Sequence, residues 1–439
     1  MMWLSAAALA ISGTALGTDA EFVSVGTDTR TLQRGALFIA LRGERFDGHD
    51  FVRQALEGGA AGVMVDSAFR IQDSGLDEKA PLLVVEDTKL GLGQLAAAWR
   101  NRFDIPLIAV TGSNGKTTVK EMLASILREQ AIDAEAVLVT QGNLNNDIGM
   151  PLTLLRLRSV HRYAVIEMGM NHLGEIDYLT HLAQPTVALV NNAQTAHIGE
   201  LGGIENIARA KGEIYGGLRD GGVAVINADD VFAPMWRSLN SGRKQIEFAL
   251  DHPAYITGRY EMLAEGSQLE IKFPEVRIAT RLQVLGVHNV RNALAASAAA
   301  FAVGATPEAI AKGLNRFEGV KGRLQCKMVL HGATLIDDTY NANPGSVRAA
   351  IDVLAQTVGE KILVLGDMGE LGNHSAQLHA EIGSYARACG IDALFCLGEM
   401  SRHAVQAFGA HAWHYERIQE LLADLENRQI HDDHNCSDD

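Results

Sequence analysis

The segment 110–122, VTGSNGKTTVKEM, combines residue types that bind phosphate groups. An apolar run leads into a turn that contains Gly112 and Gly115, and a predicted helix begins near Lys116. Glycines let backbone amides approach phosphate oxygens, while the N-terminus of a helix favours an anion. Lys116 can neutralise the outer phosphates, and Thr117 can bind Mg²⁺. The predicted ATP-binding phosphate loop consists of Gly112, Ser113, Asn114, Gly115, Lys116, Thr117 and Thr118.

The phosphate loop departs from the general pattern at one position. That pattern has a glycine five residues before Gly115, and this sequence has Val110 there. The departure argues against a generic nucleotide hydrolase. A glycine-rich turn with an incidental lysine is also disfavoured, because a predicted strand precedes the turn and a predicted helix follows it.

Two further side chains are expected at the same edge of a sheet. Glu167 ends the predicted strand AVIEM, and His197 follows the predicted strand TVALVNN. In a doubly wound sheet, ligands bind where the parallel strands end. A hydroxyl, a carboxylate and an imidazole can bind one or two divalent ions that bridge phosphates. Thr117, Glu167 and His197 are therefore candidate Mg²⁺ ligands, although Glu167 could be a solvated strand end and His197 an ordinary loop residue.

Lys211 occupies an unusual place for a charged residue. The predicted helix IENIARAKGEIYGGL has an apolar stripe formed by Ile204, Ile207, Ala208, Ile214, Tyr215 and Leu218. Lys211 falls in the middle of this stripe, three or four residues from its apolar neighbours. Burying an ammonium group costs free energy unless it gains an anionic partner or changes its chemistry. The position indicates either a functional lysine or one whose stem packs on the stripe while its head group reaches a carboxylate.

Predicted strands alternate with helices along the chain, which indicates an α/β fold of about three domains. Residues 1–102 predict a small N-terminal α/β domain with the strands ALFIAL, AAGVMV and PLLVVED. Residues 103–322 predict a central ATP-binding domain with a parallel sheet, because its strands are continuously apolar. Alternating strands between about 245 and 285 predict an antiparallel addition to that sheet. Residues 323–439 predict a Rossmann-like C-terminal domain with the strands TLIDD, KILVLGD, ALFCLG and AWHY.

The composition limits the partners of the protein. The chain has 439 residues and a formal net charge of −15, with no run of Lys and Arg. Because nucleic-acid binding needs a basic surface, nucleic acid is not expected as a partner. The four cysteines form no CxxC pair and are expected to be free thiols in a reducing cytosol. They are Cys326, Cys389, Cys396 and Cys436.

The first 17 residues are apolar but lack the basic residues of a secretion signal, since the first Lys or Arg is Arg30. They predict a short helix that faces a core. The residues expected to face that core are Trp3, Leu4, Leu9 and Ile11. No stretch is long and hydrophobic enough to predict a membrane span. We therefore expect a cytoplasmic protein, and nothing in the sequence demands an oligomer, so a monomer is expected.

Several segments, in the same order along nearly the whole chain, resemble the Mur ligases of peptidoglycan synthesis. They include GTDTR, TGSNGKTT, TQGNLNNDIGMPLTLL, IEMGMNHLGEI, AHIGELGG, ARAKGEIY, GVHNVRNALAA, VKGRLQ, DDTYNANPGS and LGDMGELG. The NNDIGMP and YNANP segments resemble most closely the member that adds D-alanyl-D-alanine to a UDP-N-acetylmuramoyl-tripeptide. The resemblance implies an ATP-dependent carbon–nitrogen ligase with these two small-molecule substrates.

The resemblance also implies a mechanism. ATP phosphorylates the terminal carboxylate of the tripeptide, and the amine of D-alanyl-D-alanine attacks the acyl phosphate. Positioning and charge stabilisation supply most of the catalysis in such a reaction. Lys211 matches a lysine that is commonly carbamylated in the family and could then bind a second Mg²⁺. The implied catalytic residues are Lys116, His197, Lys211 and Arg323.

Other site residues follow from the resemblance alone. Asn289 and Asn292 resemble the pair that contacts adenine, Arg323 resembles an arginine that reaches the γ-phosphate, and Asp338 resembles the acid near the ribose. The residues that resemble the UDP site of the first domain are Thr27, Asp28 and Arg30. Those that resemble the loop holding the muramoyl-peptide are Thr140, Asn145 and Asn146. Those that resemble the region receiving the dipeptide are Tyr340, Asn341 and Asn343. Each asparagine could instead form a turn or cap a helix.

The end of the sequence departs from the family. A further strand and a Lys-Gly-Ser segment normally follow the fourth strand of the last domain, and this sequence ends in NRQIHDDHNCSDD without either. The last domain is therefore expected to be altered or truncated, with a sheet edge left uncovered.

Three other functions stay open from the sequence. A sibling ligase would add a single amino acid to a muramoyl or folate substrate. A phosphate-loop switch or motor would hydrolyse ATP under the control of a partner, with no covalent product. A catalytically inactive relative would bind the precursor without turnover.

Overall fold

The computed structural model describes residues 1–194, 202–329 and 332–435, and its N-terminal part is a small α/β unit. The elements are β1 (Met2–Trp3), α1 (Leu4–Ala10), β2 (Thr14–Leu16), β3 (Glu21–Phe22), β4 (Ser24–Gly26), β5 (Ala36–Ile39), α2 (Val52–Glu57), β6 (Gly62–Asp66), α3 (Ile71–Ser74), β7 (Leu82–Val85) and α4 (Thr88–Arg100). The main sheet has the order β2-β7-β6-β5-β4, in which β2 alone is antiparallel to its neighbour. The predicted strands β5, β6 and β7 are apolar and mostly buried, as expected for inner strands of a covered sheet.

Helix α1 faces the core with a different set of residues from the one predicted. Leu4 and Ile11 are buried as expected, but Trp3 is 51% exposed and Leu9 is 87% exposed. The buried face of the helix is formed by Leu4, Ala7 and Ala8. Because side chains three and four residues apart share a helix face, Leu9 lies on the opposite side, and the prediction was wrong for Trp3 and Leu9.

The central part contains a single nine-stranded sheet. Its elements are β8 (Leu107–Thr111), α5 (Lys116–Ala131), β9 (Val137–Val139), α6 (Gly149–Leu154), β10 (Tyr163–Glu167), α7 (Glu175–Ala183), β11 (Val187–Val190), α8 (Ile204–Gly212), β12 (Val223–Asn227), α9 (Ala233–Leu239), β13 (Lys244–Ala249), β14 (Ile256–Leu263), β15 (Gly266–Lys272), β16 (Arg277–Leu282), α10 (Val287–Ala302) and α11 (Pro307–Arg316). The strand order is β16-β15-β14-β13-β12-β11-β8-β10-β9. The predicted parallel sheet is confirmed, with β8 in its interior, where it delivers the phosphate loop.

The antiparallel addition is shorter than predicted. Strand β13 pairs parallel with β12, and β14 pairs parallel with β13. The antiparallel pairs are β14 with β15 and β15 with β16. The prediction rested on the alternation of polar and apolar residues. Such alternation indicates that one face of a strand is exposed, but it does not give the direction of the neighbouring strand.

The C-terminal part has its own smaller sheets. Its elements are β17 (Gln325–Met328), β18 (Thr334–Asp337), α12 (Pro344–Ala355), β19 (Ile362–Gly366), α13 (Ser375–Ala388), β20 (Ala393–Leu397), α14 (Arg402–Phe408), β21 (Ala412–Tyr415) and α15 (Ile418–Asn435). Strands β19, β20 and β21 form a parallel sheet, as expected for a Rossmann-like unit. The predicted strand β18 pairs instead with β17, which the sequence did not predict because it is polar and half-exposed.

The hydrophobic cores show how these parts are joined. One core continues from the N-terminal part into the central part and includes Leu4, Trp99, Leu107 and Leu179. The C-terminal part has separate cores, the larger of which lies around Ile351. The N-terminal part is therefore packed on the central sheet, whereas the C-terminal part has separate cores and makes hydrogen bonds to the central part at the site described below. Within the described ranges, no helix is both long and apolar enough to cross a membrane.

Candidate active site

A cavity of about 520 Å³ lies where the central strands end, between the central and C-terminal parts. Its wall contains the phosphate loop after β8, the end of β10, and residues before β17, after β18 and after β19. Ligands of doubly wound sheets bind at this edge. The predicted residues in the wall are Ser113, Asn114, Gly115, Lys116, Asn145, Asn146, Glu167, Lys211, Arg323, Asp338, Tyr340, Asn341 and Asn343.

The phosphate loop is anchored to the segment that follows β11. The amide of Ser113 donates to Asn192 O at 2.9 Å, and the amide of Asn114 donates to Asn192 Oδ1 at 2.9 Å. The Ser113 hydroxyl donates to Gln194 O at 3.0 Å and accepts from Gln194 N at 2.8 Å. The shape of the loop is therefore fixed before any phosphate binds, which lowers the entropic cost of binding.

Gly115 is required by the geometry of the loop. Its φ is +79°, and a Cβ atom there would lie 2.4 Å from Asn292 Oδ1 and 2.7 Å from Asn191 Nδ2. Side chains are disfavoured at such φ values, and this position has no room for one either.

Replacing Gly115 by alanine is expected to weaken ADP binding at least tenfold, because the loop must shift to relieve the clash. Backbone strain alone costs roughly 1–2 kcal/mol, so the melting temperature should also fall. Isothermal titration calorimetry with ADP and thermal unfolding measure the two effects. Gly221→Ala is the matched control, since Gly221 has a φ of +77° but open space around it. Equal ADP affinities of the two variants would contradict the steric argument.

Lys116 lies over the phosphate loop. Its ammonium donates to Gly112 O at 2.6 Å and to Ser113 O at 3.3 Å. Burial lowers the pKa of Lys116, opposed by the nearby Glu167 carboxylate. The ammonium is thus held by two carbonyl groups at the place where outer phosphate oxygens are expected.

Glu167 ends β10 beside the phosphate loop and is 2% exposed. Its Oε1 accepts a hydrogen bond from Asn145 Nδ2 at 2.8 Å. Its Oε2 is buried and has no hydrogen-bond partner among the described residues. A buried carboxylate oxygen without a donor is costly unless a cation binds it, so this atom suits a divalent ion.

Lys211 is buried in the wall of the cavity, with 1% of the residue exposed. Burial, and secondarily the positive charge of Lys116, lower the pKa of Lys211 well below its usual range. The alternative of a packed stem with a carboxylate at its head gains no support, since no ion pair of Lys211 occurs in the described part of the chain. The Lys211 amine therefore lies in the cavity wall, in surroundings that disfavour its charged form.

Arg323 connects the C-terminal part to the phosphate-loop helix. Its Nη2 donates to Thr117 Oγ1 at 3.1 Å, and its guanidinium carbon lies 4.4 Å from the centre of the Tyr340 ring. Its Nε is buried without an acceptor among the described residues, so one donor is available to a phosphate oxygen. Asp338 accepts from Leu324 N at 3.1 Å, and burial raises its pKa.

Asn289 and Asn292 lie behind the phosphate loop rather than in the cavity wall. Asn191 Nδ2 donates to Asn292 Oδ1 at 3.0 Å, and Asn292 Nδ2 donates to Asn289 Oδ1 at 3.1 Å. Asn289 Nδ2 completes the chain by donating to Leu285 O at 2.8 Å. In this arrangement both side chains support the loop, and the prediction that they contact adenine stays a prediction.

The residues predicted to hold the muramoyl-peptide mostly organise the site itself. Thr140 is buried, and its Oγ1 accepts from Glu167 N at 3.0 Å. Asn145 holds the Glu167 carboxylate, as described above. Asn146 Oδ1 accepts from Gly149 N at 2.8 Å, which is the turn considered as its alternative role. Asn145 and Asn146 still line the cavity, so their contact with substrate stays a prediction.

Asn343 has the capping role considered as its alternative, and its place in the region that receives the dipeptide stays a prediction. It caps α12, where its Oδ1 accepts from Ser346 N at 3.0 Å. Its Nδ2 also donates to Asn114 Oδ1 at 2.8 Å, so the cap touches the phosphate loop. Asn341 Oδ1 accepts from the neighbouring amide of Ala342, and Tyr340 is 52% exposed.

Three of the predicted residues lie outside the cavity wall, in the N-terminal part. Arg30 donates to Asp28 Oδ2 at 2.6 Å, and this hydrogen-bonded pair lowers the pKa of Asp28 to about 2. The Arg30 side chain is exposed and Thr27 is half-exposed. Their assignment to the UDP end of the substrate stays a prediction.

His197 lies outside the described residues. Across 1–194, 202–329 and 332–435, no three His, Cys, Asp or Glu side chains form a metal-binding group by themselves. The prediction that Thr117, Glu167, His197 and Lys211 bind divalent ions therefore stays a prediction.

The structure adds Lys120, which the sequence analysis missed. Lys120 is 1% exposed and lies on the same helix as Lys116, one turn further on. The pattern that indicated Lys211 also applies to Lys120, because both are lysines on the buried face of a helix. The buried neighbours of Lys120 on α5 include Val119 and Leu123. The phosphate-loop pattern ends at Thr118 and does not include this position.

Three family models match consecutive segments of the chain. They are "Mur ligase family, catalytic domain" at residues 21–100, "Mur ligase middle domain" at 110–300 and "Mur ligase, glutamate ligase domain" at 322–433. The chain belongs to the Mur ligase family, and the resemblance inferred from the sequence is confirmed.

Known proteins are similar to this chain over nearly its full length. The UDP-N-acetylmuramoyl-tripeptide–D-alanyl-D-alanine ligase of Escherichia coli (strain K12) is 41% identical over 417 residues, which is 94% of this chain and 90% of the relative. A crystal structure of MurF from Acinetobacter baumannii has a TM-score of 0.89 and 39% identity, covering 97% of this chain and 92% of that one. The MurF ligase of Thermotoga maritima in complex with ADP has a TM-score of 0.79 and 25% identity, covering 92% and 91%. The α/β class with three Mur ligase domains is thereby confirmed.

Proposed function

We propose that this chain is an ATP-dependent ligase that joins D-alanyl-D-alanine to the terminal carboxylate of a UDP-N-acetylmuramoyl-tripeptide, a step of peptidoglycan precursor synthesis. The names of the relatives that match along nearly the whole chain support this activity. The observation that carries the proposal is the cavity, in which the phosphate loop faces the buried Glu167 and Lys211 and is approached by Arg323. This arrangement can hold a triphosphate against a second, carboxylate-bearing molecule.

The reaction proceeds in two displacements. A carboxylate oxygen of the tripeptide attacks the γ-phosphorus of ATP, the bond to the β-phosphate oxygen breaks, and ADP leaves. The amine of D-alanyl-D-alanine then attacks the carbonyl carbon of the acyl phosphate, loses a proton, and displaces phosphate. Lys116 and Arg323 oppose the charge on the transferred phosphoryl group, and the pre-shaped loop aligns it. ADP in the complex of the Thermotoga maritima relative supports ATP as the nucleotide.

Mg²⁺ fits the site on one observation of this structure. Glu167, the last residue of β10, lines the cavity. Its Oε2 atom is buried and accepts no hydrogen bond from a described residue. Glu167 and Thr117 would hold the ion, with His197 and Lys211 as further candidates. When bound, Mg²⁺ would spread the negative charge of the phosphates. Asn145 fixes the Glu167 carboxylate in one orientation for this purpose.

Lys211 is proposed to carry a carbamate. Carbamate formation joins an unprotonated amine to CO₂ and releases a proton, and the burial that lowers the pKa of Lys211 favours the unprotonated amine. The product is an anion, which would pair with a second Mg²⁺. Without the carbamate, the cavity wall would bring together the two lysines Lys116 and Lys211. This modification turns a buried amine, whose ammonium form would be costly, into an anionic ligand.

The remaining assignments complete the proposal. We propose domains at residues 1–102, 103–322 and 323–439, and the family-model matches at 21–100, 110–300 and 322–433 support this division. The exposed Arg30 is assigned to the uridine-diphosphate end of the substrate, at the N-terminal part. The protein is proposed to act as a monomer in the cytoplasm, where ATP and nucleotide-linked precursors are available.

A panel of acceptors distinguishes this function from its alternatives. The protein is incubated with ATP, Mg²⁺ and UDP-N-acetylmuramoyl-tripeptide, together with D-alanyl-D-alanine, meso-diaminopimelate or D-glutamate, and phosphate release is measured. Of the three acceptors, we expect only D-alanyl-D-alanine to give phosphate release above background. We expect no release when the tripeptide is omitted. Release with a single amino acid alone would indicate a sibling ligase, and release without any acceptor would indicate a hydrolase.

A further inference from the structure

Lys120 lies behind the wall of the cavity, where a charged side chain is unexpected. The residue is 1% exposed and does not itself line the cavity, whereas Lys116 and Glu167 do. Removing an ammonium group from water is costly unless its partners compensate. The contacts of Lys120 must therefore supply that compensation.

The Lys120 ammonium joins three parts of the site. Its Nζ donates to Thr140 O at 2.8 Å, lies 3.0 Å from Glu121 Oε1, and lies 3.8 Å from Glu167 Oε2. Thr140 is itself bonded to the backbone of Glu167, since its Oγ1 accepts from Glu167 N at 3.0 Å. One buried cation thus ties α5, the segment after β9 and the end of β10 together.

The distance between Lys120 and Glu167 has a specific consequence. At 3.8 Å the ammonium is close enough to balance the carboxylate charge, yet it is beyond hydrogen-bond distance. Asn145 occupies Oε1, so Oε2 is left charge-balanced but without a donor. A lysine in direct contact would compete with a metal ion for this oxygen, whereas Lys120 leaves the oxygen available.

We propose that Lys120 is a positioning residue that holds Glu167 and the 140–146 loop in the arrangement that binds the divalent cation accompanying the nucleotide. The inference rests on the proposed role of Glu167 as a ligand of that cation. Lys120 does not touch nucleotide or substrate; it acts through the carboxylate and through Thr140. Residues that orient metal ligands typically change metal affinity by roughly 10- to 100-fold when they are removed.

The experiment measures ADP binding by calorimetry over a range of Mg²⁺ concentrations, without any acceptor substrate. Lys120→Met is expected to raise the Mg²⁺ concentration needed for half-maximal ADP binding by roughly 10- to 100-fold, with little change in ADP binding in the absence of Mg²⁺. Lys120→Gln, which keeps a donor for Thr140 O but loses the charge, should show a shift in the same direction. In a Glu167→Gln background, Lys120→Met should add less than about threefold, because residues that act through one another are not additive.

Arg128→Met is the control, since it removes one positive charge from the exposed end of the same helix and should leave the Mg²⁺ dependence unchanged. A folded Lys120→Met protein with wild-type Mg²⁺ dependence would overturn the inference, as would full additivity with Glu167→Gln. ADP binding that ignores Mg²⁺ in the wild-type protein would overturn the cation role of Glu167 as well. Failure to form an amide with D-alanyl-D-alanine would not affect this titration, so the two proposals fail separately.

Discussion

Replacing Lys211 by methionine is expected to reduce turnover by roughly 100-fold or more, the size of effect seen when one charge-stabilising group is lost from a buried site. Methionine keeps the volume of the lysine stem on the apolar stripe of α8, so the fold should persist. The amine, and any carbamate formed on it, is removed from the cavity wall. Steady-state phosphate release with both substrates measures the effect, and thermal unfolding reports whether the protein is folded.

The matched control for Lys211 is Arg209→Met on the same helix, because Arg209 is exposed and its loss should leave turnover within about twofold, as surface substitutions usually do. Intact-protein mass spectrometry under non-denaturing conditions should also detect one added CO₂ on the wild-type protein and none on Lys211→Met. Turnover of Lys211→Met at the wild-type rate would remove both the carbamate and the catalytic role of this residue.

Replacing Lys116 by alanine is expected to weaken ATP and ADP binding by roughly 10- to 100-fold, since a hydrogen bond to a charged group contributes about 1.5–3 kcal/mol. The ammonium already lies 2.6 Å from Gly112 O, directly over the loop that cradles the phosphates. Turnover at subsaturating ATP should fall at least as much. Calorimetric titration with ADP measures the affinity in the presence and absence of Mg²⁺.

Arg128→Met is the control for Lys116, because Arg128 belongs to α5 but lies exposed in its last turn. Its ADP affinity should equal that of the wild-type protein. A Lys116→Ala protein that is folded and binds ADP with unchanged affinity would show that residues 112–118 are not the phosphate loop.

Much of the fold could be predicted because continuous apolar runs mark buried parallel strands. The run VAVIN predicted a strand at 223–227, and β12 spans Val223–Asn227. The pairing of β18 with β17 could not be predicted, because pairing depends on which edges are free in the folded molecule rather than on the pattern of either strand. The parallel pairing of β13 with β12 was not predicted for a related reason. The alternation of polar and apolar residues in a strand indicates which face is exposed, but not the direction of the neighbouring strand.

The site was predictable where local sequence carries the chemistry. The glycines and Lys116 of the loop, and the misplaced charge of Lys211, are visible in segments of a few residues. The contact between Asn343 and Asn114 is not, because 229 residues separate them and it forms only when the C-terminal part meets the loop. The hydrogen-bond chain of Asn289 and Asn292 is equally invisible, because its acceptor geometry exists only in the folded protein.

The central claim, amide formation through an acyl phosphate, is tested most directly by an isotope-transfer measurement. UDP-N-acetylmuramoyl-tripeptide labelled with oxygen-18 in its terminal carboxylate is converted with ATP and D-alanyl-D-alanine, and the products are analysed by mass spectrometry. We predict a new amide that has lost one label and inorganic phosphate that carries one oxygen-18 atom per amide formed. Unlabelled phosphate, or phosphate released without a new amide, would contradict the assignment of this chain as a ligase of this mechanism.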